Sequence, residues 1–268
     1  MASDSDYSPA QLLDRAAPLG HSLSAPFHKF AGTFNTRDVG LVPGSPIRQG
    51  YVFRSGALEN LEDIGKQQIT GQFGIKRIFD LRTSREREKY PEPDVPGIDI
   101  RWIPNSYGNT VDINDFVSGG GEEGYCKMYM DIMETYAPTL KTVLEHVRDR
   151  PQEPFLFHCA LGRDRTGILS AFLLSLAGAN AETIALDYMI TRIGSEPVRD
   201  VLLQRAIEEH NCNFDVPVFR NLCSLRLSTW QLFTRQVEAE YGGFEKYAMA
   251  RLGFSRDEVE RIAGHLRA

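Results

Sequence analysis

Cys159, Gly162, Arg165 and Thr166 fall within one short stretch of "FLFHCALGRDRTGILSAFLL" (155–174), between an apolar run and a helical pattern. A strand that ends in a glycine-bearing loop and passes straight into a helix is an anion cradle. Successive backbone N–H groups point into the loop, and the helix N-terminus adds partial positive charge. Gly162 lets the backbone bend close to a ligand, and Gly167, just inside the helix, keeps side chains out of the bowl. Arg165, six residues after Cys159, brings a planar two-pronged donor back across the mouth, a geometry that lysine lacks. At the floor of such a bowl, the groups that hold a dianion also favour the thiolate of Cys159 over its thiol. Thr166 is placed to donate its hydroxyl to that sulfur, and His158 to brace the loop through its ring N–H groups. The chemistry implied is in-line attack on phosphorus, a covalent phosphocysteine, and its hydrolysis by water.

The flanking sequence supplies the elements that must position this loop. "FNTRDVG" and "GSPIRQGYVFRSG" read as short strands joined by tight turns, "NLEDIGKQQITGQFG" as a helix capped by Asn60, and "IKRIFDL" as the next strand. "GIDIRWIP" alternates Ile98, Ile100 and Trp102 with Asp99 and Arg101, as a strand does. A long glycine-rich loop over 105–124 follows. Leu140, Val143, Leu144 and Val147 then mark a helix leading into the buried strand "PFLFHC". Beyond Cys159 the pattern is helical, ending in a helix that opens on a capping box, Ser255 with Glu258, and turns Val259, Ile262 and Leu266 inward. The fold class expected is α/β: a mostly parallel sheet flanked by helices in three layers, with a helical C-terminal part. Residues 1–25 read as a lead-in and 26–268 as a single domain.

Composition narrows the function. A formal charge of −6 and a pI near 5.6 argue against a general polyanion binder, so any anion specificity is local. The four cysteines, 126, 159, 212 and 223, show no C-x-x-C pair, and the histidines at 21, 28, 146, 210 and 265 show no ligand spacing. Neither a zinc site nor a disulfide framework is expected. Cys126, Cys212 and Cys223 read as core or surface thiols, with Cys126 the one candidate to pair with an oxidised Cys159. No targeting or membrane segment is visible, and a cytoplasmic location is expected.

The run "HCALGRDRTG" resembles the phosphate-binding loop of the cysteine-based protein tyrosine phosphatases, H-C-x-x-G-x-x-R-[ST]-G, at every fixed position. With "FNTRDVG", "VFRSGALENL", "RIFDLRTSRERE" and "YGGFEKYAMARLGFSRDEVERIAGHL", the chain is similar to the bacterial and fungal tyrosine-phosphatase-like family from about residue 28 to the C-terminus. The resemblance implies a phosphatase-type sheet with the loop at a strand's C-terminal end, no cofactor and no metal. It implies Cys159 as nucleophile, Arg165 as phosphate clamp, and Ala160, Leu161, Gly162, Arg163 and Gly167 as the cradle.

The leaving oxygen needs a proton and the attacking water a base. Phosphatases of this superfamily often carry that aspartate after the strand preceding the catalytic one. Here that place reads "WIPNSYGN", where Asn105 is no acid, although Asp112 and Asp115 lie further along the loop. The alternative is Asp164, inside the cradle, which the family pattern favours. Asp164 also reads as a salt-bridge partner that orients Arg163 or Arg165. Asp80 is expected at the same sheet edge as Cys159, touching loop or substrate or else capping its own turn. Arg54 reads as a surface ion pair. Arg163 reads either as a rim cation favouring multiply charged substrates or as a solvated side chain. Two function classes remain: a monomeric phosphomonoesterase, by family resemblance a protein tyrosine or dual-specificity phosphatase, with phosphoinositides or a metabolite (including prenyl) phosphate as the alternative substrates, and a phosphate-reading protein with little turnover. No nucleic-acid partner and no stable membrane insertion are expected.

Overall fold

Short runs of β-branched and aromatic residues build the sheet. The computed structural model describes residues 25–28, 30–104, 112–211 and 215–268. In chain order the elements are β1 (Arg37–Asp38), β2 (Val52–Ser55), α1 (Asp63–Gln67), β3 (Arg77–Asp80), α2 (Ser84–Lys89), β4 (Asp99–Trp102), α3 (Glu122–Thr135), α4 (Ala137–Asp149) and β5 (Phe155–His158). Among the described residues eight α-helices follow: α5 (Asp164–Leu176), α6 (Ala181–Met189), α7 (Thr191–Ser195), α8 (Arg199–His210), α9 (Pro217–Leu222), α10 (Leu227–Tyr241), α11 (Phe244–Ala250) and α12 (Arg256–Arg267). The strand order is β1-β2-β5-β3-β4; among these strands β1 runs antiparallel, pairing with β2, and the other pairs are parallel. This is the α/β architecture expected from the alternation of patterns.

Period-two alternation sorts the strand side chains onto two cores. Val52, Phe79, Phe155 and Phe157 face the larger core, shared with the C-terminal helices. Phe53, Ile78 and Leu156 face a smaller one with Phe30, Leu58, Ile69 and Ile75. By the same parity Arg54 points into the larger core. There α5 is apolar around most of its circumference, as a helix enclosed on all sides must be. Leu140, Val143, Leu144 and Val147 of α4 are buried as the spacing predicts, and Ser255 and Glu258 form the expected capping box of α12.

The register fixes the site. Ser55, His158 and Asp80 lie side by side at the C-terminal ends of β2, β5 and β3. The chain leaving each of those strands emerges at one edge, the usual location of ligand sites in parallel sheets.

Two expectations are corrected. The helix expected with Asn60 as its cap begins instead after Glu62, because the Glu62 N–H is already held by the Ala31 carbonyl at 3.0 Å; it then widens into a five-residue looser turn, Gln68–Gln72. The stretch read as continuous loop to 124 turns helical at Glu122, after Gly121 takes a left-handed conformation at φ 86°. The helix it opens, α3, supplies residues to the site. Asn105 and Cys212 lie outside the described residues.

Candidate active site

Cys159 follows β5 directly and is 1% exposed, in the larger core's contact network. The loop after it is held open by its carbonyls, which are drawn outward. Ala160 O accepts from the Ala57 N–H at 3.2 Å. Gly162 O accepts from Asn35 Nδ2 at 2.9 Å and Arg54 Nη2 at 2.8 Å, and Leu161 O from Asn35 Nδ2 at 3.4 Å. When carbonyls are tied to the outside of so tight a turn, the N–H groups face the inside. Gly162 sits at φ 63°, and a Cβ there would lie 2.5 Å from the Ser55 carbonyl, so no other residue fits.

Arg54 is therefore no surface residue: it is fully buried, and the expectation of a surface pair is overturned. Its guanidinium joins Gly162 O to the Asp187 carboxylate on α6, which also accepts from Arg37 Nε at 2.8 Å and from the Ser170 hydroxyl at 2.6 Å. Burial would raise the Asp187 pKa, but the Arg54 and Arg37 charges outweigh it and hold it at about 2. Strand parity could have shown which face Arg54 takes. Its partner, far along the chain on α6, could not be read that way.

Arg165 is positioned by a residue that the sequence reading did not single out. Glu86 on α2 takes Nη1 and Nη2 of Arg165 end-on, at 2.6 and 2.7 Å, while Nη1 also reaches the Leu81 carbonyl at 3.1 Å. The same carboxylate caps α2, accepting from the Thr83 N–H at 2.6 Å. Burial works against the Glu86 carboxylate, but Arg165 and the Thr83 donors pull its pKa below the ordinary value. Thr83-x-x-Glu86 was legible as a capping box; its second bond is a tertiary contact.

His158 is buried behind the cysteine. Its Nε2 lies 3.1 Å from Glu92 Oε1 and 3.8 Å from Asp80. Burial disfavours the imidazolium, but Glu92 and Asp80 outweigh it and raise the pKa. Asp80 accepts from the Arg82 N–H at 2.9 Å and from Arg82 Nε and Nη2 at 3.0 Å, and it forms an ion pair with Arg87, whose Nε lies 2.9 Å away. It thus caps its own turn and braces the back of the loop. Asp80, Glu92 and His158 gather three ligand-type atoms within 4.8 Å, but Arg82 and Arg87 already bind the carboxylate oxygens, so the cluster neutralises arginine. The Thr166 hydroxyl is buried and has no partner among the described residues.

Asp164 opens α5, and its Oδ1 accepts from Arg163 Nε at 3.0 Å and from the Tyr129 hydroxyl at 2.6 Å. Arg163 is 14% exposed, and all three of its nitrogens are engaged: beyond Asp164 they reach the Tyr125 hydroxyl at 2.8 Å and Ser224 O at 3.3 Å. It is neither solvated nor free at the rim. Asp112 accepts from the Asn114 N–H and starts a short turn, and Asp115 pairs with Lys127 at 2.8 Å; neither contacts the loop among the described residues. Cys126 is half-buried on α3 within the field of Glu240. A cleft of about 370 Å³ between β4 and the end of α4, lined by Arg77, Arg101 and His146 among others, contains no loop residue.

A cysteine at the end of a central parallel strand, a loop with its carbonyls tied outward and an arginine within the field of that cysteine, held by Glu86, fit a phosphatase-type α/β protein. The chain belongs to the tyrosine phosphatase family, whose sequence model matches residues 28–268. It is 26% identical over 271 residues to the triple specificity protein phosphatase PtpB of Mycobacterium tuberculosis, covering 88% of this chain and 97% of that one. It is 24% identical over 236 residues to a tyrosine-protein phosphatase of Nostoc commune, covering 83% and 78% respectively. Among the described residues, no helix is long and apolar enough to cross a membrane.

Proposed function

We propose that this protein hydrolyses phosphate monoesters through a phosphocysteine, without a metal ion, and that its substrates are phosphorylated tyrosine or serine/threonine side chains of proteins. One observation carries the reading: the carbonyls of Ala160, Leu161 and Gly162 are all bonded outside the loop that follows Cys159, an arrangement that leaves its amides to face inward, and Arg165 is clamped by Glu86.

In the first step a lone pair of the Cys159 thiolate attacks phosphorus while the ester P–O bond breaks on the opposite side, its electrons going to the leaving oxygen. Asp164 protonates that oxygen. The N–H groups of Ala160 to Asp164 and the guanidinium of Arg165 hold the three equatorial oxygens, whose charge builds in the transition state. In the second step Asp164, now a carboxylate, takes a proton from water as the water displaces Cys159 from phosphorus. The buried Thr166 hydroxyl donates to the departing sulfur. Asp164 is preferred over Asp112 and Asp115 because it begins the helix that closes the cradle, whereas they are engaged at a surface turn.

The likeness to PtpB supports the protein-phosphatase reading. Arg163 is turned inward, with three of its five donors spent on Asp164, Tyr125 and Ser224 and its side chain 14% exposed, which weighs against polyphosphorylated head groups. The test is hydrolysis of p-nitrophenyl phosphate by wild type and Cys159→Ser with EDTA present, followed by phosphopeptides, phosphoinositides and metabolite phosphates. Turnover by wild type alone, highest on phosphopeptides, is expected. Loss of activity with EDTA sinks the mechanism. A wild type inactive on every ester makes the protein a reader of phosphate.

A further inference from the structure

A carboxyl group that must first give a proton and then take one back works only if the reacting oxygen is held in place. Asp164 has one oxygen with partners and one without. Oδ1 accepts from both Arg163 Nε at 3.0 Å and the Tyr129 hydroxyl at 2.6 Å, while Oδ2 has no donor among the described residues. Two donors aimed at one carboxyl oxygen occupy its lone pairs. That leaves Oδ2 as the oxygen open to a proton.

The Tyr129 hydroxyl is itself held. It lies 2.7 Å from the Tyr188 hydroxyl, and because its single hydrogen goes to Asp164, Tyr188 is the donor in that pair. Tyr188 cannot swing away: its ring stacks on Trp230 at 4.2 Å and 17°, and packs within 3.1 Å of where a Cβ on Gly167 would sit. Tyr129 packs edge-on against Trp230 and Phe233 of α10. Burial raises the pKa of both phenols, so they stay protonated donors throughout. Tyr188 adjoins Asp187, so α6 braces the acid through one residue and the loop through the other.

Resting on the assignment of Asp164 as acid and base, we infer that Tyr129, oriented by Tyr188, is a positioning residue that fixes the Asp164 carboxyl so that Oδ2 alone carries and releases the proton. When the P–O bond breaks, the proton passes from Oδ2 to the leaving oxygen, and the two donors on Oδ1 then stabilise the carboxylate left behind. In the hydrolytic step Oδ2 recovers a proton from water. The side chains of Arg163 and Tyr129 form no bond to phosphate.

The test is the dependence of kcat/KM on leaving-group basicity, since a good leaving group needs little protonation and a poor one needs it most. Wild type, Tyr129→Phe, Tyr188→Phe, Asp164→Asn and the Tyr129→Phe/Asp164→Asn double variant are compared on p-nitrophenyl and phenyl phosphate, with the inhibition constant of inorganic phosphate measured for each. For Tyr129→Phe, the phenyl-to-nitrophenyl ratio of kcat/KM should fall about tenfold with phosphate affinity unchanged. Tyr188→Phe should show a smaller fall in the same direction, and the double variant should match Asp164→Asn alone, because the tyrosine acts only through the aspartate. If Asp164→Asn steepens the dependence while both tyrosine variants leave the ratio at the wild-type value, the positioning role is overturned and the acid assignment stands. If Asp164→Asn leaves the ratio unchanged, the assignment itself falls and this inference with it. Should Tyr129→Phe fail to fold, the ratio for Tyr188→Phe decides.

Discussion

Glu86 shows how much catalytic geometry one side chain can hold. It satisfies the first turn of α2 and fixes the guanidinium of Arg165 end-on, at 2.6 and 2.7 Å. A bidentate pair orients as well as attracts, and misplacing a catalytic group by about 1 Å can cost on the order of a hundredfold in rate. Glu86→Gln keeps the cap's shape and loses the charge. It should lower kcat/KM by about ten- to a hundredfold, with the loss mainly in kcat because the clamp matters most as charge builds on the phosphoryl oxygens; steady-state kinetics on one aryl phosphate checks this. At this scale the sequence was informative where chemistry is local. Cys159, Gly162, Arg165 and Thr166 stand in one loop, whose geometry follows from a strand, a glycine and a helix start. Glu86, Tyr129 and Arg54 were not legible as site residues, because each reaches the loop from a different element.

At the scale of elements, the loop keeps its shape because α6 and β2 hold it from outside. Arg54 spans from Gly162 O to Asp187, a span that a lysine's single ammonium cannot reproduce. Arg54→Lys should reduce phosphate affinity and kcat/KM together, because the cradle itself deforms. Arg54→Met should also cost stability, on the order of 3–5 kcal/mol, because the buried Asp187 loses one of its two cationic partners. Denaturant unfolding followed beside phosphate binding separates the two effects. The strands and the central helix were legible here, since their apolar runs and the α4 stripe are long-range consequences of burial. Helix α3 was not: its sequence, "EEGYCKMYMDIMET", follows a run of glycines and mixes polar with aromatic residues, and its tyrosines become meaningful only against Asp164 and Arg163.

At the scale of the whole molecule, a net charge of −6 accompanies a site whose positive charge is confined to backbone amides and a few paired arginines. Recognition is then local, and broad attraction to anionic surfaces is not built in. Buried carboxylates also tie stability to pH. Asp187 is held at about 2, below its ordinary 3.8, and Asp80 is likewise lowered because the charges of His158 and Arg82 overcome its burial. Depressed carboxylates contribute stability that is complete above the ordinary value and is lost as pH falls through the folded one. Unfolding free energy measured in urea should therefore decline between about pH 4 and about pH 2. Asp187→Asn, less stable at neutral pH, should show a shallower decline; an equal slope in both would show that the pair does not act as described.

The central claim is that phosphate passes through Cys159. The most direct measurement is rapid acid quench of the protein during turnover of an aryl phosphate, followed by mass analysis of the peptide containing residues 155–163. The account expects one phosphoryl group on Cys159 in wild type, accumulating further in Asp164→Asn with p-nitrophenyl phosphate, and none in Cys159→Ser. Turnover that persists in Cys159→Ser, with no adduct at that sulfur in wild type, would contradict it.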